Sequence, residues 1–431
     1  MNTASRLAAL MDHLGLARAH VATQVASDVA GFAAQYPQRI GGLVLCAATR
    51  VDPAPFEKLA PRLLMISSDT GLTAQVAEPV HARLPQARRH VLRDYDAAAW
   101  SDVIADRTEE VGDAMTTFLA DVPLEPAALD ARSGAHAGLT FRIEGQGPSL
   151  ILLPFFLSPS QWDPALPELA RRFTVIQLGG AHIGGVAALE DRDRMPSYRA
   201  MFRNLVDLLA PVPGSRILDV GCGSGAFARQ LAERLGEGAR IDAVDVNPFL
   251  LREAAGLAAE IAGRIRFAPG SATALPFNDQ TFDCVFSITV LEECDAENAI
   301  AEMMRVTRPG GRVGIVVRAI DLPQWWNLKI PPAMSVKVDV PPQSVGPSGV
   351  ADASLYPRLC RAGLVDLVGF PVLVTLDDPD GPIWRYREDH VLAQLTPAET
   401  EIWHAARAAT LAAGPLLQAT ALHCAVGRKS A

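Results

Sequence analysis

The residues from Ile217 to Gly225 read Ile-Leu-Asp-Val-Gly-Cys-Gly-Ser-Gly and decide the fold of this chain. An apolar run, typical of a buried strand, ends in three alternate glycines, and a helix is predicted from Ala226 to Leu235. Glycines let a strand turn sharply and let backbone N–H groups approach a ligand at the N-terminus of the following helix. The stretch therefore predicts a cofactor-binding turn.

The next predicted strand, Arg240 to Asp245, ends in an acidic residue about 20 positions after the glycines. Nucleotide-binding α/β units place the acceptor for the ribose hydroxyls there, so we assign that role to Asp245. The spacing G-x-G-x-G differs from the dinucleotide pattern G-x-G-x-x-G, and the glycines alone are weak evidence. The flanking sequence has to decide between cofactors.

Several flanking motifs occur in a fixed order around the glycines. Asp219 lies inside the first strand, and the downstream motifs are Leu275-Pro276-Phe277, Phe282-Asp283-Cys284-Val285, Val290-Leu291-Glu292 and Arg308-Pro309-Gly310-Gly311. As a set they resemble the class I S-adenosylmethionine-dependent methyltransferases, particularly the ubiquinone and menaquinone biosynthesis branch. The resemblance runs from about Tyr198 to Arg428. It implies a methyltransferase domain over residues 195–431, with a Rossmann-like, seven-stranded α/β sheet and S-adenosylhomocysteine as product.

The resemblance also implies a set of residues around S-adenosylmethionine: Asp219, Gly221, Cys222, Gly223, Gly225, Asp245, Val246, Ser271, Ala272, Ser287 and Thr289. Ser271 stands where related proteins usually carry an aspartate facing adenine. A serine still accepts one hydrogen bond from the adenine amine, so we expect weaker binding. Methyltransferases of this branch also carry a helix near Ser197 to Leu209 that covers the cofactor.

Methyl transfer from a sulfonium is an in-line displacement, which requires a base only when the acceptor carries a proton. The candidates by residue type are Glu293, His390 and His404, and none is assigned. Glu292 and Glu293 have an equal alternative role in stabilising a helix N-terminus. We predict methylation of a small, apolar or aromatic metabolite. The rival interpretation is a module that binds S-adenosylmethionine without transferring the methyl group.

The acceptor region is predicted to follow the core motifs. Trp325-Trp326 lies in a proline-rich segment and either lines an apolar pocket or fills a core. An insertion over Asp377 to Gln418 offers a place for substrate choice or subunit pairing. Ala421 to Val426 is predicted to be a final antiparallel edge strand.

The N-terminal part alternates helix and strand signals. Residues 1–130, with Asp12-His13-Leu14-Gly15 and Tyr36-Pro37-Gln38-Arg39-Ile40, resemble the second half of an α/β-hydrolase, and residues 138–185 resemble its first half. The halves therefore stand in inverted order, joined by a predicted linker over residues 120–137. We expect a degenerate α/β-hydrolase-like region, whose halves complete one permuted sheet within a chain or between two chains.

Hydrolase chemistry is missing from this region. Val25 occupies the nucleophile position of the predicted strand-to-helix turn and has no attacking atom. No histidine stands in the segment from Asp94 to Trp100, where the resemblance places the catalytic base. Pro154-Phe155 replaces the His-Gly pair of the oxyanion region. We therefore predict a pseudo-hydrolase.

Composition limits the remaining classes. The 431 residues suggest two or three domains, and 49% hydrophobic with 20% charged residues is typical of globular proteins. The net charge of −9, without a basic cluster, argues against nucleic acid as a partner. The longest apolar run, Leu150 to Leu157, is broken by Pro154 and is too short to span a membrane.

Six scattered cysteines show no metal-ligand spacing and suggest reduced thiols in the cytoplasm. The number of subunits stays open, with a homodimer among the alternatives.

Overall fold

The computed structural model describes residues 2–96, 103–127, 129, 131–155, 158–238, 240–261, 263–379 and 381–430. The chain divides into two compact units, Met1–Ala187 and Ala188–Ala431. Within the described ranges, no helix has the length and apolar character needed to cross a membrane.

The first unit contains one eight-stranded sheet in the order β4-β3-β2-β1-β7-β8-β6-β5. Neighbours from β4 to β8 run parallel, and β6 and β5 are antiparallel additions. The strands are β1 (Ala19–Thr23), β2 (Ile40–Cys46), β3 (Leu63–Ser68), β4 (Arg88–Leu92), β5 (Ser133–His136), β6 (Leu139–Glu144), β7 (Ser149–Leu152) and β8 (Thr174–Gly179).

The two sequence segments of this unit share that sheet, because β1 pairs with β7 through His20 with Leu150 and Ala22 with Leu152. Adjacent β1 residues pack on opposite faces, with Val21 in one hydrophobic cluster and Ala22 in another. The predicted linker over residues 120–137 is wrong in part. Its end forms β5, because Ser133–His136 pairs with β6.

The helices connected to this sheet are α1 (Thr3–His13), α2 (Ala26–Gln35), α3 (Gly71–Arg83), α4 (Val103–Asp106), α5 (Thr108–Ala120), α6 (Leu166–Leu169) and α7 (Gly184–Arg194), which continues past the boundary between the units. Shorter 3-10 turns occupy Pro37–Arg39, Ala54–Arg62 and Pro159–Trp162.

The second unit contains a sheet with the path β11-β10-β9-β12-β13-β17-β14, and β15 and β16 also pair with β17. The strands are β9 (Arg216–Val220), β10 (Arg240–Asp245), β11 (Ile265–Pro269), β12 (Phe282–Ile288), β13 (Thr307–Arg318), β14 (Trp325–Trp326), β15 (Leu364–Gly369), β16 (Val372–Leu376) and β17 (Gln418–Lys429).

These nine strands occupy seven positions. Arg428 of β17 is opposite both Arg312 of β13 and Val365 of β15, so β13 and β15 lie on different sides of β17. By the same reasoning β14 and β16 lie on different sides of Gln418. The prediction of a final edge strand at Ala421 to Val426 is therefore wrong. The chain over Leu364–Leu376 returns to the outer side of β17 and makes it an interior strand.

The helices of this unit are α8 (Pro196–Leu209), α9 (Ala226–Leu235), α10 (Pro248–Leu257), α11 (Ala296–Val306), α12 (Pro332–Val338), α13 (Leu355–Arg361), α14 (Pro382–Leu392) and α15 (Pro397–Ala413), with 3-10 turns at Gly236–Gly238 and Ala259–Ile261. Ile217 of β9 packs in a cluster with Leu205 of α8, whereas its neighbour Leu218 packs with Ile300 of α11. Helices therefore cover both faces of a mostly parallel sheet, as in Rossmann-like folds.

Candidate functional site

The glycine turn follows β9, which lies between β10 and β12 in the sheet. Gly221 has a φ of +74°, a conformation that L-residues with a side chain rarely adopt. The amides of Gly221 and Cys222 donate to the carbonyl of Val244 at 2.8 and 2.9 Å. The turn therefore bends toward the carboxyl end of β10, and α9 begins directly after it, at Ala226.

Asp245 ends β10 beside this turn. Its Oδ2 accepts from the amide of Gly223 at 2.9 Å, and its Oδ1 accepts from the amide of Asn247 at 2.9 Å. The next side chain, Val246, is 70% exposed although it is apolar. The structure thus brings a carboxylate, the glycine turn and an uncovered apolar side chain together at one edge of the sheet.

Asp219 is fully enclosed within β9. Its carboxyl group makes no hydrogen bond with the residues that the structure describes. Burial, together with the nearby charge of Asp245, raises the pKa of Asp219 to about 8. A cationic ligand beside this carboxyl group would favour its ionised form and bind to it.

The pKa of Asp219 predicts a pH-dependent stability. From about pH 4 to pH 8 the unfolded chain loses this proton while the folded chain keeps it, so the free energy of unfolding falls as the pH rises. Asp219→Asn removes this term. We take the free energy of unfolding of Asp219→Asn minus that of the parent. This difference is expected to be larger at pH 8 than at pH 5 by roughly 1.4 kcal/mol or more. Urea unfolding at three pH values measures this, and a difference that is constant with pH would contradict it.

Ser271 and Ala272 follow β11, in the loop next to Asp245. The amide of Gly270 donates to the carbonyl of Asp245 at 3.1 Å, which fixes this loop against β10. The hydroxyl of Ser271 is paired with that of Thr273 at 2.9 Å, and Ala272 is buried. Both residues therefore lie at the same edge of the sheet as Asp245.

Ser287 and Thr289 lie at the carboxyl end of β12 and have different environments. Ser287 is fully buried, and its hydroxyl donates to the carbonyl of Val220 at 2.9 Å. This bond ties β12 to β9. Thr289 has a φ of +54°, which is strained for a β-branched residue, and its hydroxyl accepts from Arg192 at 2.7 Å.

Cys222 is buried within the turn, and its Sγ lies 3.9 Å from the carbonyl oxygen of Gly223. Burial raises the pKa of this thiol, as do the charges of Asp219 and Asp245. A thiol that resists ionisation is a poor nucleophile, so Cys222 acts as a small residue of the turn.

The three candidate bases occupy separate elements. Glu293 follows β12, and its carboxylate is 63% exposed and lies 3.8 Å from the guanidinium of Arg318. His390 lies in the last turn of α14, and His404 is exposed on α15. Glu292 is buried and accepts from the amide of Arg318 at 2.7 Å, and burial raises the pKa of its carboxyl group to about 7.

Sequence reasoning missed a polar network on the glycine turn. Glu190 of α7 accepts from the hydroxyl of Ser224 at 2.6 Å and pairs with Arg229 at 2.5 Å, while Arg229 also donates to the carbonyl of Ser224 at 2.7 Å. Glu190 is buried, Arg229 is partly buried, and the two residues are 39 positions apart. No local motif joins residues so distant, so only the fold reveals this pairing.

The part of the chain that forms most of this site matches a known protein family. Residues 217–311 match the model of a methyltransferase domain. A demethylmenaquinone methyltransferase of Renibacterium salmoninarum is 36% identical over 120 residues, which are 28% of this chain and 48% of that protein. Nocamycin O-methyltransferase of Saccharothrix syringae is 33% identical over 132 residues, which are 30% of this chain and 47% of that protein. The chain spans about half the length of the curated relatives that it matches.

Among solved structures, the YcgJ protein from Bacillus subtilis is 18% identical with a TM-score of 0.38, over 54% of this chain and 99% of that chain. A geranyl diphosphate methyltransferase in complex with its diphosphate and sinefungin is 19% identical with a TM-score of 0.32, over 54% of this chain and 77% of that chain. The family match covers β9, the glycine turn, β10 and β12. Residues 217–311 of this chain therefore form a methyltransferase domain.

Proposed function

We propose that this chain transfers the methyl group of S-adenosylmethionine to a small-molecule acceptor. The observation that carries the proposal is the carboxylate of Asp245 beside the glycine turn, at the carboxyl ends of β9 and β10. Ligands of open α/β sheets bind at this edge, near the point where the strand order reverses. Here β9 is that point, because β10 and β12 flank it on either side.

The residues present fit the cofactor. In this proposal Asp245 accepts from the ribose hydroxyls, and exposed Val246 contacts the adenine ring. The amides of Gly221, Cys222 and Gly223 already donate within the protein and fix the shape of the turn. In this proposal the ammonium and sulfonium charges of the cofactor lie near Asp219, which is buried and has no hydrogen-bond partner among the described residues. The bound cofactor supplies an activated methyl group, and the protein has to hold the acceptor in line and exclude water.

The direct test is a calorimetric titration with S-adenosylhomocysteine. We expect Asp245→Asn to weaken binding roughly ten- to a hundredfold, since a hydrogen bond to a charged group contributes about 1.5–3 kcal/mol. Glu233→Gln removes an exposed carboxylate from α9 and serves as the control, with unchanged affinity. Equal affinity of parent and Asp245→Asn would overturn the assignment of Asp245. Binding without product formation, over a panel of acceptors, would favour the rival role as a non-transferring module.

We further propose that the first unit is an inactive, permuted hydrolase-like sheet. β1 is an interior strand of this sheet, and α2 follows it after a short turn. A hydrolase carries its nucleophile on a strand-to-helix turn of this kind. Val25 in this turn has an unstrained φ of −91° and an aliphatic side chain. Asp94 has a φ of +50°, and residues 97–100 of the predicted base segment lie outside the described residues.

Cleavage of the connection tests whether the two segments depend on each other. A protease site inserted between the exposed residues Glu125 and Pro126 yields one fragment with β1 to β4 and another with β5 to β8. Because β1 pairs with β7, we expect the fragments to co-elute in size-exclusion chromatography and to separate only in denaturant. Separate elution in native buffer, with a folded first fragment, would contradict the shared sheet.

A further inference from the structure

Arg387 of α14 is a buried cation that forms no ion pair with a described carboxylate. Its side chain is 7% exposed and makes no hydrogen bond or ion pair with any residue in the described ranges, and its Nε is buried without a partner. Its guanidinium lies 5.9 Å from the ring centre of Tyr386. Burial lowers the pKa of Arg387, since an enclosed charge has lost its hydration. A native protein keeps such a group where a ligand supplies the missing charge.

Two cations and two phenol groups act electrostatically on Arg387. They are Arg192 and Arg318, with the hydroxyls of Tyr198 and Tyr386. Arg318 is already satisfied, because it donates to the carbonyls of Pro342 and Ser344 and lies 3.7 Å from Glu292. Among the described residues, Arg192 donates to Thr289 alone, and its Nε is buried without a partner there. Arg192 and Arg387 therefore remain as two guanidiniums without an ion-paired carboxylate among the described residues, although the charge of Glu292 acts on Arg192.

Neighbouring contacts hold the helices of both arginines in place. The carboxylate of Asp191, next to Arg192, accepts from the amide of Ile383 in the first turn of α14 at 3.4 Å. Further along that helix, Glu388 accepts from the indole N–H groups of Trp384 and Trp403. These contacts fix the backbone of the two helices that carry the arginines, α7 and α14.

The sheet order separates this pair from the ribose side of the cofactor site. Asp245 ends β10, the glycine turn ends β9, and Thr289, which accepts from Arg192, follows β12. Neighbouring strands are about 4.8 Å apart, so Thr289 lies roughly 10 Å across the sheet from Asp245. Arg192 therefore lies on the far side of the glycine turn from Asp245.

We propose that Arg192 and Arg387 bind an oxyanion of the methyl acceptor, a carboxylate or a phosphate ester. The proposal rests on the methyl-transfer function proposed above and names its substrate class. Guanidiniums suit this role, because their planar N–H donors match the oxygens of carboxylates and phosphates in pairs. The acceptor is thereby an acid whose remaining part is held by other residues of the second unit.

The test uses the full chain saturated with S-adenosylhomocysteine and three probes of similar shape: benzoate, phenyl phosphate and neutral benzamide. Calorimetric titration is expected to give at least about tenfold tighter binding for one of the two anions than for benzamide. Arg387→Gln and Arg192→Gln should each abolish that preference, while Arg387→Lys retains part of it. Arg361→Gln, at an exposed arginine of α13, is the control and should retain all of it.

The cofactor's own carboxylate is the competing anion. If Arg387→Gln weakens S-adenosylhomocysteine about tenfold but leaves 5′-methylthioadenosine unchanged, the arginines hold the cofactor and the proposal is wrong. Equal binding of all three probes by the parent also overturns it. Failure of the parent to bind S-adenosylhomocysteine counts against the methyl-transfer function instead. The anion preference, measured without cofactor, then decides the arginine site alone.

Discussion

A Gly221→Ala variant is expected to lose about 2–5 kcal/mol of its free energy of unfolding and to bind S-adenosylhomocysteine at least tenfold more weakly. Two costs add at this position. Alanine at a φ of +74° costs roughly 1–2 kcal/mol, and its Cβ would overlap the Cγ2 atom of Val290, which adds about 1–3 kcal/mol of overpacking. Val290 follows Thr289, so relief of this overlap displaces the turn or the end of β12.

Gly310 provides a matched control for the conformational cost. Its φ is +76°, and beyond its two chain neighbours no described residue has an atom within 4 Å of a Cβ built there. Gly310→Ala should therefore lose only about 1–2 kcal/mol and keep the affinity for S-adenosylhomocysteine. Urea unfolding and calorimetry of both variants separate the two costs. Equal losses would show that the contact with Val290 contributes nothing.

The local part of the site was predictable because neighbouring residues encode it. The helix from Ala226 to Leu235 and the strand from Arg240 to Asp245 have the predicted bounds in the structure. An apolar run, glycines that permit a positive φ and a terminal acidic residue all act within about 30 positions. A feature formed by residues this close in sequence can be predicted from their types and spacing, and the match to a methyltransferase domain agrees with the prediction.

The distant part of the site was not predictable. Arg192 and Thr289 are 97 residues apart, and nothing in the sequence around Arg387 distinguishes it from an exposed helical arginine. Burial of a charge depends on what the fold packs around it, not on neighbouring residues. The edge-strand error at β17 has the same origin, because register and edge position depend on the return of Leu364–Leu376.

From the sequence, the adjacent tryptophans Trp325 and Trp326 could either line an apolar pocket or fill a core. Trp326 is buried, with ring centroids 5.3 Å from Trp384 and 5.0 Å from Trp403, and its indole N–H donates to the carbonyl of Val338 at 3.3 Å. Trp325 is 49% exposed. Trp326 fills a core, whereas Trp325 is half exposed to solvent.

Trp326→Ala is therefore expected to lower the free energy of unfolding by about 3–5 kcal/mol, the range for removal of a buried aromatic side chain. Trp325→Ala, its neighbour, should change it by less than about 1 kcal/mol. Because Trp384 lies on α14 with Arg387, the loss of Trp326 should also reduce the preference for benzoate or phenyl phosphate over benzamide, measured in protein that is still folded. Equal destabilisation by the two substitutions in urea unfolding would contradict this packing. A stable Trp326→Ala protein with full anion preference would show that the tryptophan cluster does not position α14.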